Sequence, residues 1–160
     1  MNVWKLQLWE TVLAQTPDRR KGLRFRYDKD VSSEVRDACM QFAIWLRSKY
    51  SFPLRIPVYV KSAKRLLTLD GDVAVGTFFE PVDYTIEPYI RIASGDYMEL
   101  KNDIGRDNAL GAILYTIAHE LTHYFQWING INHSDKELEL MAKTLATEIL
   151  SEYAKTREHP

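Results

Sequence analysis

A pair of histidines one helical turn apart constrains this chain more than any other feature. The histidines belong to the segment 119–123, which reads HELTH and lies within a run of apolar residues at helical spacing. Because an α-helix turns by about 100° per residue, His119 and His123 lie about 40° apart on one face. Both imidazoles can therefore reach a single ion, so the segment predicts a metal site on a helix.

The surrounding residues predict how this helix is oriented. Four apolar residues form a stripe that would bury one side of the helix: Leu114, Ala118, Leu121 and Phe125. The histidines lie on the other side, and Glu120 projects beside them, where it can hold a metal-bound water without being a ligand. Zinc takes neutral imidazole and carboxylate ligands and keeps a position open for water in catalytic sites. We therefore predict Zn²⁺ as the cofactor, with His119 and His123 as ligands.

A catalytic zinc site needs a third protein ligand, and several downstream residues qualify. The candidates are His133, Asp135, Glu137, Glu139 and Glu148. Glu139 is favoured by packing, because Ala142 and Ala146 follow it on the same helical face and would let two helices approach closely. Glu137 lacks this stripe, and we expect it to face solvent. His133, in the preceding loop, is the main alternative.

Length, cysteine content and hydropathy bound the class of protein. The 160 residues, 46% of them hydrophobic, are enough for the core of a single domain over 1–160. Cys39 is the only cysteine, which excludes an intrachain disulfide and a cysteine-built metal site. No apolar run approaches the roughly 18 residues of a membrane span, and Lys5 and Glu10 interrupt any signal-peptide core at the start. We expect a soluble, cytoplasmic protein that does not contact a membrane.

Charge is divided unequally along the chain. Residues 1–65 carry 14 Lys and Arg against 6 Asp and Glu, whereas residues 66–160 carry 7 against 16. The basic half contains a dense cluster of Arg19, Arg20, Lys21, Arg24 and Arg26. Such a cluster can serve nucleic acid or another acidic partner, but no nucleic-acid-binding motif accompanies it. We interpret it as solvated surface that the acidic half offsets after folding, and we do not expect a nucleic-acid partner.

The remaining periodicity predicts an α+β fold. The predicted elements are a helix over 34–50, a strand over 54–60, a hairpin over 66–79, a strand over 89–93, and helices over 107–128 and 134–153. Residues 1–13 fit either a strand or a short helix. We expect a small, mostly antiparallel sheet packed against the HExxH helix and the glutamate helix that follows it.

Together the two helical motifs resemble those of the zincin metallopeptidases. An HExxH helix followed by a glutamate ligand on a later helix, often written ExxA, is the gluzincin pattern, and here it reads HELTH at 119–123 and ELMA at 139–142. The wording of 116–127, TIAHELTHYFQW, is similar to that of small single-domain members called minigluzincins. The resemblance covers about 86–153, the expected catalytic portion.

The resemblance implies a zinc-dependent peptidase that binds a peptide or protein substrate along an edge strand, here expected to be Tyr89–Ala93. It also implies that Glu120 takes a proton from the zinc-bound water that attacks the peptide carbonyl, and later passes it to the leaving amine. Members of the family usually supply a Tyr or His that donates to the developing oxyanion. The candidates for this role are Tyr97, Tyr124, Tyr153 and His133.

Other interpretations of the same residues stay open at this point. A non-catalytic zinc protein would use the metal to tie the two C-terminal helices together as a scaffold or interaction module, but it has no use for a glutamate at position 120. A histidine pair packed without metal is the simplest alternative. Gln126 returns to the face of His119 after seven residues. It either orients a neighbouring group of the metal site or is a polar residue at the edge of the helix.

Overall fold

Helices and strands mix along the 160 residues that the computed structural model describes, which confirms the expected α+β class. The helices are α1 (Trp9–Val12), α2 (Ser33–Lys49), α3 (Tyr97–Ile104), α4 (Arg106–Ile128) and α5 (Asp135–Ala154). The strands are β1 (Leu23–Tyr27), β2 (Ile56–Lys61), β3 (Leu66–Leu67), β4 (Val73–Ala74), β5 (Gly76–Phe79) and β6 (Tyr89–Ala93). None of the helices combines the length and the apolar character that crossing a bilayer requires.

The ends of the helices follow from local sequence. Ser32 caps α2, because its hydroxyl accepts a hydrogen bond from the Glu34 amide, and Ser134 caps α5 by accepting from the Glu137 amide. After α4, Gly130 adopts a positive φ of 65°, a conformation that glycine enters without steric cost. Each of these signals lies within a few residues of the helix end that it marks. The ends of α4 and α5 could therefore be predicted from the sequence.

The strands of the main sheet run in the order β1-β2-β6-β5, and this corrects the expected sheet. Strands β1, β2 and β6 are parallel, and only β5 is antiparallel to its neighbour, so the prediction of a mostly antiparallel sheet is wrong. The physical reason is a crossover helix: α2 connects β1 to β2, and such a connection joins parallel strands. Strand β1 is not among the strands predicted from the sequence, and without it α2 could not be identified as a crossover.

The expected edge strand is also corrected. Tyr89–Ala93 pairs with β2 on one side and with β5 on the other, so it lies inside the sheet. The edges are β1 and β5. Of the segment predicted as one hairpin over 66–79, only β3 and β4 form it, around a turn in which Gly71 has a φ of 88°. The rest becomes β5, because alternation along a strand does not specify its partner.

One face of the sheet supports α4. Five side chains from the two central strands are fully buried there: Ile56, Val58, Val60, Ile90 and Ile92. The predicted apolar stripe of α4 is buried as well, since Leu114, Ala118, Leu121 and Phe125 are each at most 1% exposed. The central helix is thus held against the sheet by the hydrophobic effect, and the histidine face of α4 is left for α5.

The charge asymmetry resolves into contacts between the two halves of the chain. Basic residues of the first half pair with acidic residues of the second: Arg20 and Arg55 with Glu87, Lys64 with Glu99, and Arg65 with Asp96. Arg19 instead donates to the backbone carbonyl of Pro53 at 2.8 Å. These contacts agree with the interpretation of a surface whose charge is offset on folding.

Candidate metal centre

The structure brings His119, His123 and Glu139 together at the contact between α4 and α5. The Nε2 atom of His123 is 2.7 Å from one carboxylate oxygen of Glu139, and the Nε2 atom of His119 is 3.3 Å from the other. The possible ligand atoms all lie within 4.8 Å of one another. Both imidazoles are largely buried, with side-chain exposures of 17% and 18%, so this cluster could hold a metal ion.

Small residues let the two helices approach closely enough for this contact. Ala142 and Ala146 follow Glu139 on one face of α5, and both are fully buried. The neighbouring Glu137 side chain is 65% exposed, as expected for a residue outside this stripe. The stripe of alanines therefore explains why Glu139, rather than Glu137, reaches the histidines.

Gln126 joins the same two helices beside the cluster. Its side-chain oxygen lies 2.8 Å from Nδ1 of His123, and its amide nitrogen donates to the backbone carbonyl of Leu138 at 2.9 Å. Leu138 directly precedes Glu139 in α5. Of the two roles considered for Gln126, contact with a residue of the site is therefore the one seen.

Glu120 is a buried carboxylate next to the cluster. The residue is 7% exposed, and its Oε2 atom is buried without a hydrogen-bond partner. Burial raises the pKa of Glu120 to about 7; the negative charge of Glu139 adds to this increase, whereas His123 opposes it. A buried polar atom without a partner is costly, so this oxygen marks a place where a ligand, water or ion would be stabilised.

The environment also favours the neutral form of His119. Burial lowers the pKa of His119, the neighbouring His123 lowers it further, and Glu139 acts in the opposite direction. Neutral imidazole is the form that binds a metal ion. Desolvation of the site therefore prepares His119 for coordination.

A cleft of about 760 Å³ opens beside these residues. Glu120, His123 and Glu139 line it together with apolar side chains of β5, of the end of α4 and of the region that begins α5: Phe78, Phe79, Trp127, Ile131 and Leu138. Strand β5 comes very near α4, because a Cβ atom on Gly76 would lie 2.6 Å from Cγ2 of Thr116 and 3.2 Å from Cγ of Glu120. Glycine at position 76 is thus what allows the edge strand to border the site.

The other candidates from the sequence lie elsewhere. His133 is 3.6 Å from Glu137 and lines a separate pocket with Glu148, whereas Asp135 lines the cleft without joining the cluster. The expected oxyanion donors do not line the cleft: Tyr97, Tyr124, Tyr153 and His133. The hydroxyl of Tyr124, for example, is buried and donates to the carbonyl of Leu54.

Two features of the site were missed from the sequence. The first is that residues 76–79, predicted as part of the hairpin over 66–79, form a separate strand, β5, which pairs with β6 and borders the cleft. The second is Tyr115, which precedes His119 by one turn and whose ring centroid lies 6.2 Å from that of the imidazole. Its spacing from the motif is helical, which could have indicated that it shares the histidine face.

Comparison with known proteins adds no relative: no family model, no curated protein and no solved structure matches the chain.

Proposed function

We propose that this chain is a zinc-dependent metallopeptidase. The observation that carries the proposal is Glu120, a buried carboxylate with an unpartnered oxygen, next to two imidazoles and a carboxylate that converge on one point. Three of these four side chains line the same cleft: Glu120, His123 and Glu139. Two neutral nitrogen donors and one anionic oxygen donor fit zinc, whose catalytic sites use three protein ligands and leave one position free.

In this proposal, His119, His123 and Glu139 hold the metal and Glu120 moves the proton. A bound zinc ion would polarise the substrate carbonyl and lower the pKa of water, so that water attacks at neutral pH. The free Oε2 atom of Glu120 accepts the proton that this water loses, and the same carboxyl later donates it to the leaving amine. Burial raises the pKa of Glu120 in the metal-free chain, and the positive charge of bound zinc would oppose that shift and favour the carboxylate that accepts the proton.

The substrate strand of the proposal is β5, in place of Tyr89–Ala93. One side of β5 pairs with β6, and the other side is a sheet edge next to the cleft. An extended peptide could add to this edge through main-chain hydrogen bonds. The apolar side chains of the cleft, Phe78 and Trp127 among them, would then contact side chains of the bound peptide.

Glu120 also distinguishes the peptidase from a non-catalytic zinc scaffold. A scaffold needs only the three ligands, and burying a fourth ionisable group beside them costs stability without serving the metal. A group that raises the energy of the folded chain is expected where the chemistry requires it.

The free state of Cys39 is compatible with the proposed location in the cytoplasm. Its side chain is buried and unpaired, and thiols of cytoplasmic proteins are generally kept reduced.

The proposal is tested by metal analysis combined with a peptide-library assay. After equilibration with zinc, we expect about one zinc per chain in the wild type, and cleavage of at least one library peptide. Glu120→Gln is expected to retain the zinc. Its cleavage rate should be lower than that of the wild type by at least about 100-fold, since it lacks the proton acceptor. Zinc binding with no cleavage by the wild type would favour the scaffold. Failure of the wild type to bind zinc would refute the metal site itself.

A further inference from the structure

Gln126 occupies an unusual place for a polar side chain. It lies one turn after His123 on α4 and is only 3% exposed, so both ends of its amide are withdrawn from solvent. Each end nevertheless has a partner: the oxygen is 2.8 Å from His123 Nδ1, and the nitrogen is 2.9 Å from the Leu138 carbonyl oxygen. The side chain therefore connects one histidine of the cluster with the backbone of the helix that carries Glu139.

The Leu138 carbonyl determines which way this amide points. A carbonyl oxygen can only accept, so the NH₂ group of Gln126 must face Leu138, and the amide oxygen must face His123. The amide oxygen can likewise only accept. The proton between the two side chains therefore belongs to Nδ1 of His123.

This assignment has a consequence for the opposite nitrogen of the ring. A neutral imidazole carries one proton, so with Nδ1 protonated the Nε2 atom of His123 presents a lone pair. That lone pair lies 2.7 Å from a carboxylate oxygen of Glu139, which also can only accept. Two acceptors at this distance repel each other, and either a proton on Nε2 or a metal ion bound by both atoms removes that repulsion.

We propose that Gln126 is a positioning residue of the metal centre with two separable roles. Its oxygen selects the His123 tautomer that presents Nε2 as a metal ligand. Its nitrogen ties the first turn of α5 to α4, which places Glu139 opposite the histidines. The second role, and any effect on zinc affinity, rest on the proposed metal site, whereas the tautomer is a property of the zinc-free protein.

Two substitutions separate these roles. Gln126→Met has a similar length and forms neither hydrogen bond, so it removes both. With its carboxylate ionised, Gln126→Glu can still accept from His123 Nδ1 but cannot donate to the Leu138 carbonyl, so in that form it keeps the first role and loses the second. Gln41→Met is the matched control, because Gln41 is exposed on α2 and far along the chain from the site.

The first measurement is ¹⁵N NMR of the imidazoles in zinc-free protein at pH 8. We expect the His123 proton on Nδ1 in the wild type, in Gln126→Glu and in Gln41→Met, and a mixture of tautomers in Gln126→Met. A wild-type spectrum with the proton on Nε2 would overturn the assignment. This result does not depend on zinc binding, and the wild-type spectrum decides it even if Gln126→Met fails to fold.

The second measurement is zinc affinity by competition with a chromophoric chelator. Loss of a residue that orients a metal-binding histidine typically weakens binding 10- to 100-fold, and we expect a decrease in this range for Gln126→Met. Gln126→Glu is expected between Gln126→Met and the wild type, and Gln41→Met at the wild-type value. Wild-type affinity in Gln126→Met would overturn the positioning role. Absence of zinc binding by the wild type would instead refute the metal site on which that role rests.

Discussion

Among the places where this molecule brings an imidazole to a carboxylate, two have nearly the same separation, and only one of them has the properties of a site. At the surface, Nδ1 of His159 is 2.8 Å from Asp107; at the helix contact, Nε2 of His123 is 2.7 Å from Glu139. The distances are nearly equal. The surroundings differ, since the side chain of His159 is 67% exposed and that of His123 is 18% exposed.

The surface pair is an ordinary charge contact. The hydrogen bond with His159 lowers the pKa of Asp107, and water surrounds both groups, which weakens their interaction. The helix contact adds a second imidazole, an amide behind His123 and the buried Glu120. The carboxylates of the two places are about equally exposed, at 52% for Glu139 and 47% for Asp107, so what distinguishes the helix contact is a pair of largely buried imidazoles that converge on one carboxylate.

Removing a histidine from each place should give the largest contrast. His119→Ala removes a proposed ligand, and zinc affinity is expected to fall by more than about 100-fold, the upper range for residues that only orient a ligand. His159→Ala should keep the wild-type affinity. Elemental analysis and chelator competition on both variants measure the effect. Equal losses of zinc affinity in His119→Ala and His159→Ala would contradict the distinction between the helix contact and the surface pair.

Because Glu120 is buried, we expect the difference in stability between the wild type and Glu120→Gln to depend on pH. Its pKa is near 7 in the folded protein and 4.5 in an ordinary environment, so its contribution to stability is complete below pH 4.5 and is lost as the pH rises through 7. In zinc-free protein, the free energy of unfolding of the wild type should fall by about 3 kcal/mol relative to Glu120→Gln between pH 4 and 8. Urea unfolding with a chelator present measures this, and parallel pH profiles would contradict it.

Two neighbouring glutamates of α5 provide the next comparison. Glu139→Ala removes a proposed ligand and should weaken zinc binding by about 100-fold or more, since a ligand contributes more than a residue that only orients one. Glu137→Ala should have no effect, because that side chain is 65% exposed and lies outside the cluster. Titration with a chelator is the measurement. Full affinity in Glu139→Ala would mean that the third ligand lies elsewhere, with His133 the next residue to replace.

Glycine substitutions test how closely β5 must approach the buried site. A side chain at Gly76 would collide with Thr116, so Gly76→Ala should destabilise the protein by about 1 kcal/mol. Gly111→Ala, in an open part of α4, should stabilise it by roughly 0.5 kcal/mol, because alanine favours a helix. Thermal unfolding of both variants gives the signs. A stabilised Gly76→Ala would show that the strand can move away from Glu120.

The smallest effect is expected at the surface pair itself. His159→Ala breaks the contact with Asp107, but exposed pairs contribute little to folding. We expect the unfolding midpoint to match that of the wild type at moderate salt. A clear decrease would mean that this pair holds the C-terminus more firmly than its exposure indicates.

Much of the site could be predicted because its signals are local. The spacing of His119 and His123 places both on one face of α4, and the capping residue Ser134 marks the beginning of α5. Ala142 and Ala146 indicated which face of α5 would pack closely, and Glu139 lies on that face. Each inference needed only helical periodicity, which depends on residues within a few positions of one another.

The sheet was predictable only in part, because pairing joins distant segments. Strand β1 carries exposed Arg24 and Arg26 at alternate positions, which looked like charged surface. Without β1 the parallel order of the sheet could not be inferred, and Tyr89–Ala93 was placed at an edge that belongs to β5. Alternation shows that a segment is a strand but not which strands lie beside it.

By itself, then, the sequence determined the two helices, their faces and the residues that meet between them, because backbone geometry converts spacing into direction. Tertiary structure decided which strand borders the cleft, how deeply Glu120 is buried and which partner each end of the Gln126 amide has. The last of these depends on a carbonyl of Leu138 that lies on another helix. Burial and hydrogen-bond orientation are properties of the surroundings, and distant parts of the chain supply those surroundings only after folding.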